Sequence, residues 1–249
     1  MIRVIYRLSD GGYNKEKPDF ITNETCLRNI LFSRQNSQFH IICDNVYDET
    51  FNMVHRTVNT TDTIERTDYG SGAQSFRHAL DLALKYDDDD IVYFVEDDYV
   101  HMPRWEDALF DGLSISPYCT LYDHPDKYVN AVDGGNPFVE DGGEVTRLLL
   151  GSVCWWKLTN STTMTFASTV KVLRDDFEIF RRHTEGTYPR DFDIFIELRN
   201  KGRGLVSPIP SWSTHGETKW LSKSHVDFNG RYDVLNSWET ILNITQDIT

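Results

Sequence analysis

Five apolar residues in a row, Ile91-Val92-Tyr93-Phe94-Val95, run without a break into three carboxylates, Glu96-Asp97-Asp98. No other feature constrains the fold as strongly. A short, unbroken apolar run rich in β-branched and aromatic residues predicts a central strand covered on both faces. Strands of that kind belong to open α/β sheets, whose ligands bind beyond the carboxyl ends of the strands. The three acids therefore stand where a ligand would. Adjacent carboxylates repel one another unless they are solvated, protonated or neutralised by a cation, and hard oxygen ligands suit Mg2+ or Mn2+. The run Asp87 to Asp90 lies before the strand, falls at the opposite edge of the sheet and reads as a solvated loop.

The flanking sequence repeats the α/β pattern. Ile2 to Tyr6 and Phe39 to Cys43 predict further parallel strands, joined by a helix over Thr22 to Ser33, and Ser75 to Tyr86 predicts the helix that leads into the central strand. A helix from Arg104 to Leu113 closes this half. After the Gly- and acid-rich stretch Gly134 to Gly143 the pattern changes. Thr146 to Leu158 and Thr163 to Ser168 read as strands of a different, antiparallel arrangement, followed by helices over Asp175 to His183 and Asp191 to Asn200, the second stopped by Gly202. The expectation is a single α/β domain with a mostly parallel, Rossmann-like central sheet flanked by helices and a smaller sheet on the acceptor side. It divides into a ligand-binding half (1–115), a second half (116–217), and a tail (218–249) that wraps the surface or forms a lid.

Charge narrows the partners. Asp plus Glu outnumber Lys plus Arg by 39 to 25, a field that repels polyphosphate chains and argues against nucleic-acid binding. A small anionic ligand would have to be held by a cation and local groups. The short apolar stretch at the N-terminus and the lack of any membrane-length run predict a cytoplasmic protein without a transmembrane segment. The scattered cysteines, Cys26, Cys43, Cys119 and Cys154, predict buried thiols instead of disulfides or a zinc cluster. The content of 14 Phe, 12 Tyr and 6 Trp exceeds what a plain core needs.

Taken in order, these pieces resemble the GT-A class of nucleotide-sugar glycosyltransferases, whose Asp-x-Asp motif follows an apolar strand. Cys43-Asp44-Asn45 follows the second strand, and Gly70-Ser71-Gly72-Ala73 opens the helix before the acidic motif. Arg190-Asp191-Phe192-Asp193 begins a helix similar to the one that carries the base in inverting members, and Pro210-Ser211-Trp212-Ser213-Thr214-His215 is similar to the terminal strand whose histidine completes the metal site. The resemblance implies a metal set of Glu96, Asp98 and His215. The histidine favours Mn2+ over Mg2+. It also implies donor contacts from Arg7, Ser9, Asp44, Gly72, Arg77, Glu96 and Asp97, with the turn-rich loop Leu8 to Gly12 clasping the nucleotide. Asp191 is the expected general base with Asp193 in reserve, although Arg190 stands where the family has a glutamate. Trp155, Trp156 and Trp212 are candidate walls for the acceptor; of the adjacent pair, one ring should point inward and the other outward.

The implied reaction moves a hexosyl or pentosyl group from a nucleotide sugar, UDP-linked by default, to a hydroxyl of a glycan or other acceptor. Two other readings stand beside it. A sugar-nucleotide pyrophosphorylase shares the scaffold but expects a basic Gly-rich loop after the first strand, where this chain has only Lys15 and carries Asp10. A carbohydrate-binding protein would hold sugar through a metal without turnover.

Overall fold

The computed structural model describes residues 1–11, 15–223 and 234–246. In chain order the strands are β1 (Ile2–Leu8), β2 (Gln38–Asp44), β3 (Thr63–Thr67), β4 (Ile91–Glu96), β5 (Tyr99–His101), β6 (Tyr118–Cys119), β7 (Leu148–Leu150), β8 (Trp155–Thr159), β9 (Phe166–Thr169), β10 (Leu205–Ile209) and β11 (Ser213–His215). The helices are α1 (Asn23–Phe32), α2 (Asp48–Thr57), α3 (Gly72–Ala83), α4 (Trp105–Ile115), α5 (Val170–Asp175), α6 (Phe177–Arg182), α7 (Asp191–Asn200) and α8 (Val234–Gln246).

Nine strands form one sheet in the order β3-β2-β1-β4-β9-β6-β10-β8-β7. The first four are parallel, with Tyr6 opposite Val95 and Arg7 opposite Glu96. Beyond β4 the sheet turns mixed, because β9 runs antiparallel to both β4 and β6. Residues 146–168 thus extend the main sheet, and the small second sheet is β5 paired with β11. This differs from the sequence expectation because β9 docks directly on β4, which leaves no free edge there to begin a separate sheet.

The two-residue period of the strands sorts the core. Val4, Tyr6, Ile41, Cys43, Tyr93 and Val95 face α1, α2 and α4, whereas Ile5, Ile42, Val92 and Phe94 face α3, α5, α6 and α7. Each large apolar side chain so covered contributes about 1.5–3 kcal/mol relative to exposure. The unbroken run Ile91 to Val95 is therefore apolar because both faces of β4 are roofed by helices.

Helix ends follow local chemistry. Thr22 and Thr25 form a reciprocal cap at the start of α1, and Gly202 ends α7 in the left-handed region at φ +84°. The helix expected over Asp175 to His183 forms as α6; it starts just after Asp176, which separates it from α5 and whose buried carboxylate is drawn inward to Tyr118 Oη, Lys201 and Arg203. The C-terminal α8 packs Trp238, Ile241 and Leu242 against Ile21, Cys26 and Val100. The remaining tail residues, 224–233 and 247–249, lie outside the described residues, as does Gly12 of the expected nucleotide loop. Among the described residues no helix is long and apolar enough to cross a membrane. All four cysteines are free thiols, and Cys26, Cys43 and Cys119 are buried.

Candidate active site

The carboxyl ends of β1, β2 and β4 open into a cavity of about 920 Å3. Its wall includes Arg7, Ser9, Asp44, Gly72, Glu96, Asp97, Asp98, Asp191 and His215, which are sequence candidates drawn from six different elements and their adjoining loops.

The three acids differ in their surroundings. Glu96 accepts an ion pair from Arg7 Nη2 at 3.0 Å, and Arg7 also donates Nη1 to the Gly72 carbonyl at 3.2 Å with its guanidinium over the Phe76 ring. Asp97 is half-buried and accepts the Ser9 backbone N–H at 2.8 Å. Burial, with the neighbouring Asp98 charge, pushes its carboxyl up to about 7. Asp98 is only 3% exposed. Burial works to raise its carboxyl too, but the imidazole of His215 when protonated, with the ammonium groups of Lys15 and Lys17, outweighs that effect and holds it well below the usual carboxylate range.

His215 reaches Asp98 by sheet pairing. β5 begins directly after Asp98, and β11 lies antiparallel to it with His215 opposite Tyr99. The Gly216 N–H donates to the Asp98 carbonyl at 2.7 Å. A Cβ at Gly216 would stand 2.5 Å from Ile21 Cγ2 and 2.8 Å from that carbonyl oxygen, so the close approach requires glycine. His215 Nε2 is thereby held 3.3 Å from Asp98 Oδ2.

A carboxylate oxygen and an imidazole nitrogen aimed at one point form a plausible pair of ligands for Mn2+. In this structure the same point carries Lys15 Nζ, 3.1 Å from Asp98 Oδ2 and 3.0 Å from His215 Nε2, with Lys17 Nζ at 3.1 Å from the same oxygen. Among the described residues no three His, Cys, Asp or Glu side chains converge as a metal-binding group. As arranged, the pair accommodates ammonium groups, and a divalent ion fits only where the lysines leave.

Asp191 is the first residue of α7, and its Oδ1 accepts the Phe192 N–H at 2.7 Å, one of the otherwise unpaired donors of the first turn. Burial first, and Glu96 across the cavity after it, push its carboxyl up to about 6. The preceding loop is fixed to the other half of the molecule: the Thr187 carbonyl accepts the Ala73 N–H and the Ser71 hydroxyl at the start of α3. Gly70-Ser71-Gly72 therefore helps position the segment that delivers Asp191. Asp44 accepts Thr67 Oγ1 and the Tyr69 N–H through one oxygen and borders the cavity.

Several candidates lie elsewhere. Asp193 does not line the cavity and pairs with Arg190 at 3.5 Å. Arg77 does not reach the cavity wall. Trp156 is buried in the core with its Nε1 on Asp111, so it has no ring face for a sugar; Trp155, its outward neighbour, is exposed on β8, four strands from β4. Trp212 packs against the core cluster that contains Trp156. None of the three tryptophans lines the cavity; Thr163, Met164, Thr187, Tyr188 and Pro189 do. Those five, with Lys17, escaped the sequence reading. The signals available were the position of residues 187–189 directly before Asp191 and the second basic residue two places beyond Lys15.

No protein-family model matches the sequence, and no curated protein matches it. Solved structures do. TarS 1–349 of S. aureus aligns with a TM-score of 0.50 at 12% identity, over 83% of this chain and 57% of that one. GalNAc-T7, in a structure with UDP, GalNAc and Mn2+, aligns with a TM-score of 0.57 at 14% identity, over 86% of this chain and 43% of that one. The chain thus spans less than two thirds of either structure. At these identities the likeness establishes architecture, and with the sheet order and the acid-lined cavity it supports one conclusion: the chain has the GT-A fold of nucleotide-sugar glycosyltransferases.

Proposed function

We propose that the protein transfers a hexosyl or pentosyl group from a nucleoside-diphosphate sugar, with UDP as the default nucleotide, to a hydroxyl of a glycan or other acceptor, with inversion at the anomeric carbon. One observation carries this reading: Asp191 and the Asp98–His215 cation point wall the same cavity. In the proposed reaction Asp44 and the backbone of Ser9 to Gly11 take the nucleoside end, and the diphosphate lies against the cation point. The acceptor oxygen attacks the anomeric carbon and gives its proton to Asp191, while the carbon–oxygen bond to phosphate breaks and the nucleoside diphosphate departs. A carboxyl near 6 is poised to act as a base at neutral pH. Tyr188 and Thr187, beside Asp191, replace the tryptophans as the proposed acceptor wall. A manganese or magnesium ion, the cofactor expected from the sequence, would have to displace both lysines from Asp98. Free thiols agree with a reducing, cytoplasmic setting.

The test is a screen of sugar nucleotides for release of free nucleoside diphosphate, with wild type and Asp191→Asn side by side. The variant should bind the responding donor as wild type does and turn it over about 100- to 10,000-fold more slowly. Unchanged turnover would remove Asp191 from the chemistry. The pyrophosphorylase reading gains from Lys15 and Lys17, since two ammonium groups do follow β1 into the cavity. It requires instead the formation of pyrophosphate from a nucleoside triphosphate and a sugar phosphate, and the same screen separates the two.

A further inference from the structure

In a chain with a formal net charge of −14, an anionic diphosphate needs concentrated local positive charge. That charge is already in the cavity and belongs to the protein. Lys15 and Lys17 lie on the segment after β1, and both ammonium groups converge on a single oxygen, Asp98 Oδ2, at 3.1 Å. Lys15 also meets His215 Nε2 at 3.0 Å. An ammonium can only donate, so that nitrogen acts as acceptor, and its lone pair is the one a metal ion would need. Asp98 Oδ2 and His215 Nε2, two acceptors 3.3 Å apart, are thus reconciled by the ammonium between them.

Glu96 is paired with Arg7, and two lysines meet at one oxygen of Asp98, so positive charge is concentrated at that point of a wall that otherwise carries Asp10, Asp44, Asp97 and Asp191. Lys17, whose described ion pair is with Asp98, borders the cavity with N–H donors to spare. From this geometry we infer that Lys15 and Lys17 are the resident cations of the donor site and hold the diphosphate of the nucleotide directly, so that donor binding does not require a divalent metal. Asp98 and His215 then act as positioning residues that orient the ammonium groups.

The inference rests on the transferase reading, and one experiment tells their failures apart. The full chain is titrated calorimetrically with UDP, GDP, CDP, ADP and dTDP, first in EDTA and then in MnCl2. The expected result is that one nucleotide binds in EDTA and that Mn2+ changes its affinity less than about three-fold. In the double variant Lys15→Gln/Lys17→Gln, binding in EDTA should weaken at least about 30-fold, or about 2 kcal/mol. Mn2+ should restore part of it, because Asp98 and His215 are then free to take the ion. A merely structural role of the lysines would not convert a metal-independent site into a metal-dependent one. Binding of wild type only with Mn2+ would overturn the inference and leave the transferase reading standing. Binding by the double variant in EDTA equal to wild type would also overturn it. Binding of no nucleotide under either condition would overturn both, and the two wild-type titrations decide even if the variant does not fold.

Discussion

Asp191→Asn tests whether the carboxylate expected to act as base is held at a cost to the fold. The Asp191 carboxyl is raised from 3.8 to about 6, chiefly by burial. A group whose folded value lies above its unfolded value binds its proton more tightly when folded. The stability this brings is fully present below about 3.8 and is lost as the pH rises through about 6. At pH 7.5 the wild type therefore carries an ionised, partly buried carboxylate whose full cost would be about 3 kcal/mol. Because the side chain borders an open cavity, solvent screens it, and we expect about half that. Asparagine keeps an oxygen for the Phe192 N–H and removes the charge. In urea titrations Asp191→Asn should be more stable than wild type by about 1–2 kcal/mol at pH 7.5 and equal to it below pH 4. The same titration should appear in kinetics: wild-type kcat/KM rises with pH up to about 6 and then levels off. A variant no more stable at pH 7.5, together with a flat wild-type profile between pH 5 and 8, would refute the reasoning.

Other expectations follow from the same geometry. Gly216→Ala places a Cβ within 3 Å of Ile21 and the Asp98 carbonyl, so it should cost about 1–3 kcal/mol in thermal denaturation and weaken nucleotide binding by displacing His215. Arg7→Lys cannot serve both Glu96 and the Gly72 carbonyl, and should lower stability by about 1–3 kcal/mol by urea titration. Asp193→Ala and Arg77→Ala, neither on the cavity wall, should leave donor turnover within about two-fold of wild type; a large loss in either would place it back in the site.

What could be read from the sequence was what is encoded locally. The apolar run Ile91 to Val95, the alternation of strand and helix around it, and the start of α7 at Asp191 all depend on short-range pattern, and the structure reproduces them. The weakly apolar β3 and α2 were missed because Thr63–Thr67 lies near an edge of the sheet, and α2 buries only Met53 and Val54. The gathering of Arg7, Asp44, Asp98, Asp191 and His215 followed from the order of the motifs. The tryptophans could not be placed in that way. Whether Trp156 meets a ligand or Asp111 depends on residues far away in sequence, and aromatic content alone does not distinguish a site wall from a core. The lysines were underweighted for a related reason: their significance comes from convergence on Asp98, which only the folded chain displays.

The ribbon of β5 and β11 also sets when a working centre can exist. Asp98 is made early and His215 more than a hundred residues later, and only their antiparallel pairing brings them together. A chain extended through β4 can assemble its four parallel strands while lacking the imidazole, so the Asp98–His215 pair forms only once β11 has been added. Fragments ending before β11 should lack that pair even where their parallel strands form.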